Sequence, residues 1–312
     1  MIVNEVKLTD FDINNKARFS ILTITLFLLA TFLNQSYIVY GINISFADIF
    51  CVMALLLILN KLVISIKHLI FFVILSISVA FSAVFIVPIL FSYSPEISSV
   101  FSNYLKLLVT FFYFIIGYNL TKLGLIDKLL KWYSIFAFLC AIIGIVWSIL
   151  KINFLTDILY FGGTRYRGFM NDPNYFAIIQ ITGLACLSRL VKNINYKLII
   201  WLVFVLSIIA SGSKTGMVTL IVYVSIRFVE YLASIKINLK KNLFKLYLLI
   251  IILMIIIPIF MLNYQTIFYK LSNTFPSFSR IEYVFTDFSS ALTDNQSGRG
   301  ITWSNAINII SL

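Results

Sequence analysis

Histidine occurs once, at His68, and cysteine three times, at Cys51, Cys140 and Cys186, each cysteine inside an apolar run with no partner at disulfide or metal spacing. That scarcity predicts no disulfide, no zinc or iron centre and no bound cofactor. Charge is scarce as well, at 12% of 312 residues, where soluble domains carry about 25%. With 61% hydrophobic residues and a mean hydropathy of +1.01, the chain lacks the polar residues to clothe a soluble globule. Acidic residues number 12 against 24 basic ones, a net charge of +12. The basic residues fall in small groups between apolar runs and form no stripe or tail, which argues against a nucleic-acid partner and for orientation in a membrane.

What the chain has in abundance is long apolar stretches. Since about 20 apolar residues cross a bilayer as a helix, we expect an all-α, polytopic transmembrane helical bundle of about nine spans. They lie near 19–40, 42–59, 69–91, 101–120, 133–150, 173–191, 197–210, 215–233 and 246–262, in a single transmembrane domain over 1–312, with a long outer loop over 263–300. No small-residue cleavage signature follows the first run, so it reads as a retained anchor. The stretches show no internal repeat, and Pro88 and Pro258, each near a helix end, are expected only to kink their helices.

Lys and Arg counts set the orientation. One set of alternating segments holds Lys7, Lys16 and Arg18, then Lys61 and Lys67, then Lys122, Lys128 and Lys131, then Arg189, Lys192 and Lys197, then Arg227, Lys236, Lys240, Lys241 and Lys245. The other holds only Lys151, Arg165, Arg167, Lys214, Lys270, Arg280 and Arg299. The richer set belongs on the cytoplasmic side, which predicts a multi-pass protein of the cytoplasmic (inner) membrane with its N-terminus inside. Membrane lipids are then obligatory partners.

A polar island from Gly162 to Phe176, G-G-T-R-Y-R-G-F-M-N-D-P-N-Y-F, interrupts the apolar pattern. Asn171-Asp172-Pro173 is a helix start, with a capping side chain before Pro at the first helical position. Asn171, Asp172 and Asn174 therefore mark a helix N-terminus with anion-binding character, and Arg165 and Arg167 add forked donors suited to phosphate. Ser211-Gly212-Ser213-Lys214 joins two further spans in a tight hairpin, with Ser213 as a cap and Lys214 at the next helix start. On the expected topology these groups and Arg299 share the outer face, where a lipid-linked phosphate is a more natural anion than a nucleotide. Plainer roles fit the same residues: the arginines as anchors to lipid headgroups, Lys214 as a solvated turn residue, Arg299 as a loop cap. Asp48 and Lys106 lie inside expected spans, where charge is costly; they are expected either to pair in a polar cavity or to snorkel to the surface.

The order of R-Y-R-G-F-M-N-D-P-N-Y-F before one helix, S-G-S-K-T-G before another and S-G-R-G-I-T-W after a long loop resembles the O-antigen polymerase / O-antigen ligase family, over most of the chain from Asp48 to Trp303. The resemblance implies a membrane glycosyltransferase of surface polysaccharide assembly, for O-antigen, lipopolysaccharide or capsule. Its substrate would be undecaprenyl-pyrophosphate-linked oligosaccharide, with a flippase and a chain-length regulator as protein partners. It casts Arg165, Arg167 and Arg299 as grips on the pyrophosphate. Lys214 stands where the family often has arginine. The family's histidine base, further into the large outer loop, has no counterpart before Leu312, so the chain is expected to be C-terminally incomplete or inactive, and the catalytic base is unknown. Asp157, Asp172, Glu282, Asp287 and Asp294 are the other outer carboxylates, and Asp172 reads first as a helix cap. Polymerase is favoured over ligase, and a lipid-linked sugar flippase or a binding-only fragment stays open beside both.

Overall fold

The computed structural model describes residues 16–36, 45–91, 96–152 and 154–234, with scattered positions between 247 and 277. The expected ninth span at 246–262 and outer loop at 263–300 lie largely outside the described residues, as do the first fifteen positions. The chain divides into two compact units, Met1–Phe136 and Ala137–Leu312.

In the first unit, α1 (Lys16–Phe32) packs on α2 (Phe46–Ile58), and α5 (Ile97–Lys122) packs on α2 and on α3 (Ile66–Phe81). Aromatic contacts hold these pairs: Phe32 stacks on Phe50 at 5.2 Å and Phe72 on Phe111 at 4.0 Å between ring centroids. Asn119 on α5 accepts the Val63 N–H at 2.8 Å and donates to the Val63 carbonyl at 3.1 Å, satisfying the backbone where α3's leading segment has no helical partners. Beyond α3 the helix widens into a π turn over Ser82–Ile86, then resumes as α4 (Val87–Phe91). Pro88 accounts for the widening. It lacks an N–H and its ring excludes a close carbonyl one turn back, so the ladder shifts and the Val87 N–H reaches the Ser82 carbonyl.

The second unit holds the end of α6 (Ile126–Leu150), the one-turn α7 (Thr156–Leu159), a hairpin of β1 (Tyr160–Phe161) and β2 (Arg165–Tyr166), and then α8 (Pro173–Leu190), α9 (Ile194–Ser211) and α10 (Lys214–Ser234). The last three are joined by short turns, so α8 and α10 begin at the end where α9 finishes. Small residues let them approach closely, as in membrane bundles generally. A Cβ on Gly216 of α10 would fall 2.4 Å from the Ala177 Cβ of α8, and one on Gly183 would fall 2.7 Å from the Ala137 Cβ of α6.

Among the described residues four helices are long and apolar enough to cross a membrane: Ile66–Ile89, Val100–Lys122, Ile126–Leu150 and Ile194–Ser211. Their outer surfaces are apolar, with Phe71 68% and Ile77 64% exposed. Apolar surface of this extent on helices of this length suits a lipid bilayer, so the fold is that of a helical membrane protein. Helices also occupy the other stretches expected to span up to residue 233, although α2, at 13 residues, is shorter than a bilayer requires.

Candidate functional site

The polar island folds around Tyr166. On an extended strand alternate side chains point to opposite faces, so R-Y-R sends Tyr166 one way and both arginines the other. Tyr166 is fully buried; its hydroxyl donates to the Cys140 carbonyl at 2.9 Å, and its ring meets Phe176 edge-on at 5.0 Å and Tyr160 at 5.5 Å. Gly144 on α6 makes room, since a Cβ there would fall 2.4 Å from the ring. Gly162 and Gly163 both adopt positive φ, +59° and +72°, in the turn that brings β2 back on β1. Burial holds the Tyr166 hydroxyl well above the usual tyrosine value, with Cys140 and Tyr160 adding to it; burial also raises Tyr160, opposed by its bond to Ser148.

At the α8 start the Asp172 carboxylate accepts the Asn174 N–H at 2.6 Å, with Pro173 following as the first helical residue. The Ser213 hydroxyl accepts the Gly216 N–H at 2.9 Å and so caps α10; the same hydroxyl donates to the Asn174 side-chain carbonyl at 2.7 Å. The positive ends of two helix dipoles are thereby fastened side by side. Lys214 is the first residue of α10 and half-buried. Arg165, also half-buried, donates through Nε to the Ser211 carbonyl at 3.3 Å, which seats it at the same α9–α10 turn.

Arg167 is placed differently. Its Nε donates to the Ile158 carbonyl at 3.1 Å, Nη1 to the Asn171 carbonyl at 3.3 Å and Nη2 to the Asp157 carbonyl at 2.8 Å, so it ties α7 to the approach to α8. The structure thus groups Arg165, Lys214, Asp172 and Asn174 at one end of the α8–α10 bundle. Asn171 meets Arg167 through its backbone. Arg299, Glu282, Asp287 and Asp294 lie outside the described residues.

Of the two alternatives for Asp48 and Lys106, the structure does not show the pair. Asp48 sits in the first turn of α2, where its Oδ2 accepts the Ser45 N–H at 2.7 Å in a capping box and its Oδ1 accepts the Tyr113 hydroxyl at 2.8 Å. Its oxygens go to these partners and not to Lys106, which is exposed on α5. His68, one residue before the expected span at 69–91, lies in the first turn of α3 with its ring against Phe114 and Tyr118.

Sequence reasoning missed three residues. Tyr166 is one. Ser277 is another: its hydroxyl donates to the Ala210 carbonyl at 2.7 Å, and Phe275, two residues earlier, is buried with Tyr166 and Phe176. Gln180 on α8 is fully buried, and neither its amide nitrogen nor its oxygen has a hydrogen-bond partner among the described residues. No residue pattern short of the fold marks Ser277 or Gln180. Among the described residues no group of His, Cys, Asp and Glu converges as a metal site would need. Compared with protein-family models, curated proteins and solved structures, the chain matches none.

Proposed function

We propose that the chain is a multi-pass membrane glycosyltransferase that polymerises undecaprenyl-pyrophosphate-linked repeat units at the outer face of the cytoplasmic membrane. In this reading it crosses the bilayer about nine times with its N-terminus inside. The observation that carries it is the 2.7 Å bond between Ser213 and Asn174, which sets two helix N-termini beside Arg165 and Lys214. A pyrophosphate leaves readily once its charge is balanced, so such a site accelerates glycan transfer by holding the leaving group without a metal. The order of its motifs, resembling the O-antigen polymerase / ligase family, supports the same chemistry, with Arg299 as a further grip and the acceptor's base unassigned.

The test is the product of the whole reading frame that contains this chain, purified into nanodiscs and supplied with a lipid-linked repeat unit. The proposal expects free undecaprenyl pyrophosphate to appear as glycan lengthens, one per linkage. Transfer only to a lipid core would make it a ligase. Passage of the intact lipid-linked sugar across a vesicle bilayer, with nothing released, would make it a flippase. Binding without release or passage would leave a non-catalytic binding protein, and any of these three results would contradict the proposal.

A further inference from the structure

The chain does not leave the bundle when α6 ends. Lys151 takes a left-handed conformation, φ +48°, and the Ile152 N–H returns to the Trp147 carbonyl at 3.3 Å, the bond of a Schellman turn, so the chain reverses against the helix it has just left. Trp147 Nε1 then donates to the Phe154 carbonyl at 2.8 Å, the Ser148 and Tyr160 hydroxyls meet at 3.1 Å, and the Tyr166 ring lies against Gly144. α6 is long and apolar enough to cross a membrane, with 25 residues; at 1.5 Å each they reach about 37 Å, roughly 7 Å more than the hydrocarbon core. Gly144 lies about 9 Å along the axis from the helix end at Leu150, so the returning chain runs at the boundary of headgroups and acyl chains. The backbone is equipped for that depth. Every carbonyl from 154 to 159 has a donor within the protein: Phe154 the Trp147 indole, Leu155 the N–H groups of Ile158 and Leu159, Thr156 that of Tyr160, Asp157 and Ile158 the Arg167 guanidinium, and Leu159 the Arg167 N–H. A loop in water has no need of this, whereas non-helical backbone beside lipid must find its partners in the protein.

We propose that residues 154–161 re-enter the bilayer beside the last turns of α6 and that their exposed apolar side chains are a surface for phospholipid. Phe154 is 69% exposed, Phe161 45% and Ile158 39%, directly after the exposed Ile149 and Leu150 that end the lipid-facing side of α6. The partner is therefore the phospholipid that already covers α6, and the surface is continuous with that one. Asp157, also exposed, is the one charged residue from 154 to 161, which holds the segment at headgroup level and no deeper. The stretch expected to be a plain outer loop is in this account an interfacial one. Arg167 acquires a reason for its three backbone bonds: it stands in for the water that the α7 carbonyls would otherwise bind. Nothing here depends on the pyrophosphate site proposed above.

The experiment is photolabelling of the unaltered product of the whole reading frame, in nanodiscs of phosphatidylglycerol and phosphatidylcholine, with a phosphatidylcholine that carries a diazirine near the top of one acyl chain. Adducts mapped by mass spectrometry should fall on Phe154, Ile158 and Phe161 as well as on Ile149 and Leu150, and not on Lys192, exposed in the turn between α8 and α9. Labelling of Ile149 and Leu150 without 154–161 would overturn the proposal. In a second arm, cysteine is placed singly at Phe154, Ile158 or Phe161 and compared with Lys192→Cys. The first three should lose reaction with a membrane-impermeant maleimide, and a fluorophore attached there in detergent should be quenched by nitroxide lipid after reconstitution. Reaction as fast as that of Lys192→Cys would show that the segment faces water. Protection from the maleimide without quenching by lipid would show that protein covers it, and either result contradicts the lipid surface.

Discussion

The Ser213 hydroxyl donates to Oδ1 of Asn174 at 2.7 Å while accepting the Gly216 N–H at 2.9 Å, so one side chain caps α10 and ties it to the first turn of α8. Ser213 is fully buried, so neither bond is traded for water. Ser213→Ala should cost about 1–2 kcal/mol of stability. Asn174→Ala should cost less, because its backbone N–H keeps the Asp172 cap. Thermal unfolding of the single and double variants in detergent should return a coupling of about 0.5–1.5 kcal/mol. Additive effects would mean that the two helix starts are not mechanically joined.

Tyr166 is the anchor that aims the arginines. Tyr166→Phe loses only the bond to Cys140 and should cost about 1 kcal/mol; Tyr166→Ala empties the pocket and should cost about 3–5 kcal/mol. Gly144→Ala, on a different element, should resemble Tyr166→Ala because its methyl would overlap the ring. If Gly144→Ala is as stable as wild type, the hairpin is not seated on α6 as described.

The same burial gives the hairpin an alkaline limit. Folding raises the Tyr166 hydroxyl above the ordinary 10.0, so the folded state favours the neutral phenol. Its contribution is therefore complete at neutral pH and is lost as pH climbs above 10 towards the raised folded value. Stability followed against pH should fall in that range for the wild type and less steeply for Tyr166→Phe. Parallel curves would contradict the assigned environment.

Gln180 carries a buried amide with no partner among the described residues, and an unsatisfied group of this kind costs about 1–3 kcal/mol. Gln180→Met keeps the shape and removes the polar atoms, so the melting temperature should rise. A lower melting temperature would show that the amide is satisfied in the membrane by something it binds there.

Much of this was legible from residue types alone. Asn171-Asp172-Pro173 announces the α8 start because a capping carboxylate and a proline without N–H both suit a helix's first turn and little else. The Gly212–Ser213 turn reads equally well. Ser45 three residues before Asp48 is a usable signal for a cap; reading Asp48 by its place in an apolar run, and not by that spacing, leaves pairing with Lys106 and snorkelling as the alternatives and misses the cap. Tyr166 was hidden because a lone aromatic between arginines looks the same whether it faces lipid, water or core, and a two-residue strand is too short to show alternation. Ser277 was beyond reach, since its meaning is set by Gly212, distant in sequence and adjacent only once the chain folds. Arg165 and Arg167 look equivalent in R-Y-R, and only the fold separates them, sending Arg165 to the α9–α10 turn and Arg167 to α7 and the α8 approach.

That separation gives the next expectation. Arg167→Lys should lower thermal stability by about 1–2 kcal/mol, because an ammonium cannot reach three diverging carbonyls; the half-exposed site keeps the loss modest. Arg165→Lys gives up its bond to the Ser211 carbonyl and should cost about 0.5–1 kcal/mol, less than Arg167→Lys. Equal losses would place both arginines in the scaffold.

The central claim is that Arg165 grips a lipid-linked pyrophosphate with its forked guanidinium. The most direct measurement is the chain-length distribution of surface polysaccharide on a gel, in cells whose own copy of this gene is replaced by Arg165→Lys, normalised to the amount of protein in the membrane. The account predicts normal membrane abundance with a shift from long chains towards single repeat units, a loss of turnover of about ten-fold to a hundred-fold, since an ammonium keeps the charge but not the paired donors. An unchanged distribution at normal abundance would contradict it and leave Arg165 as an anchor to lipid headgroups.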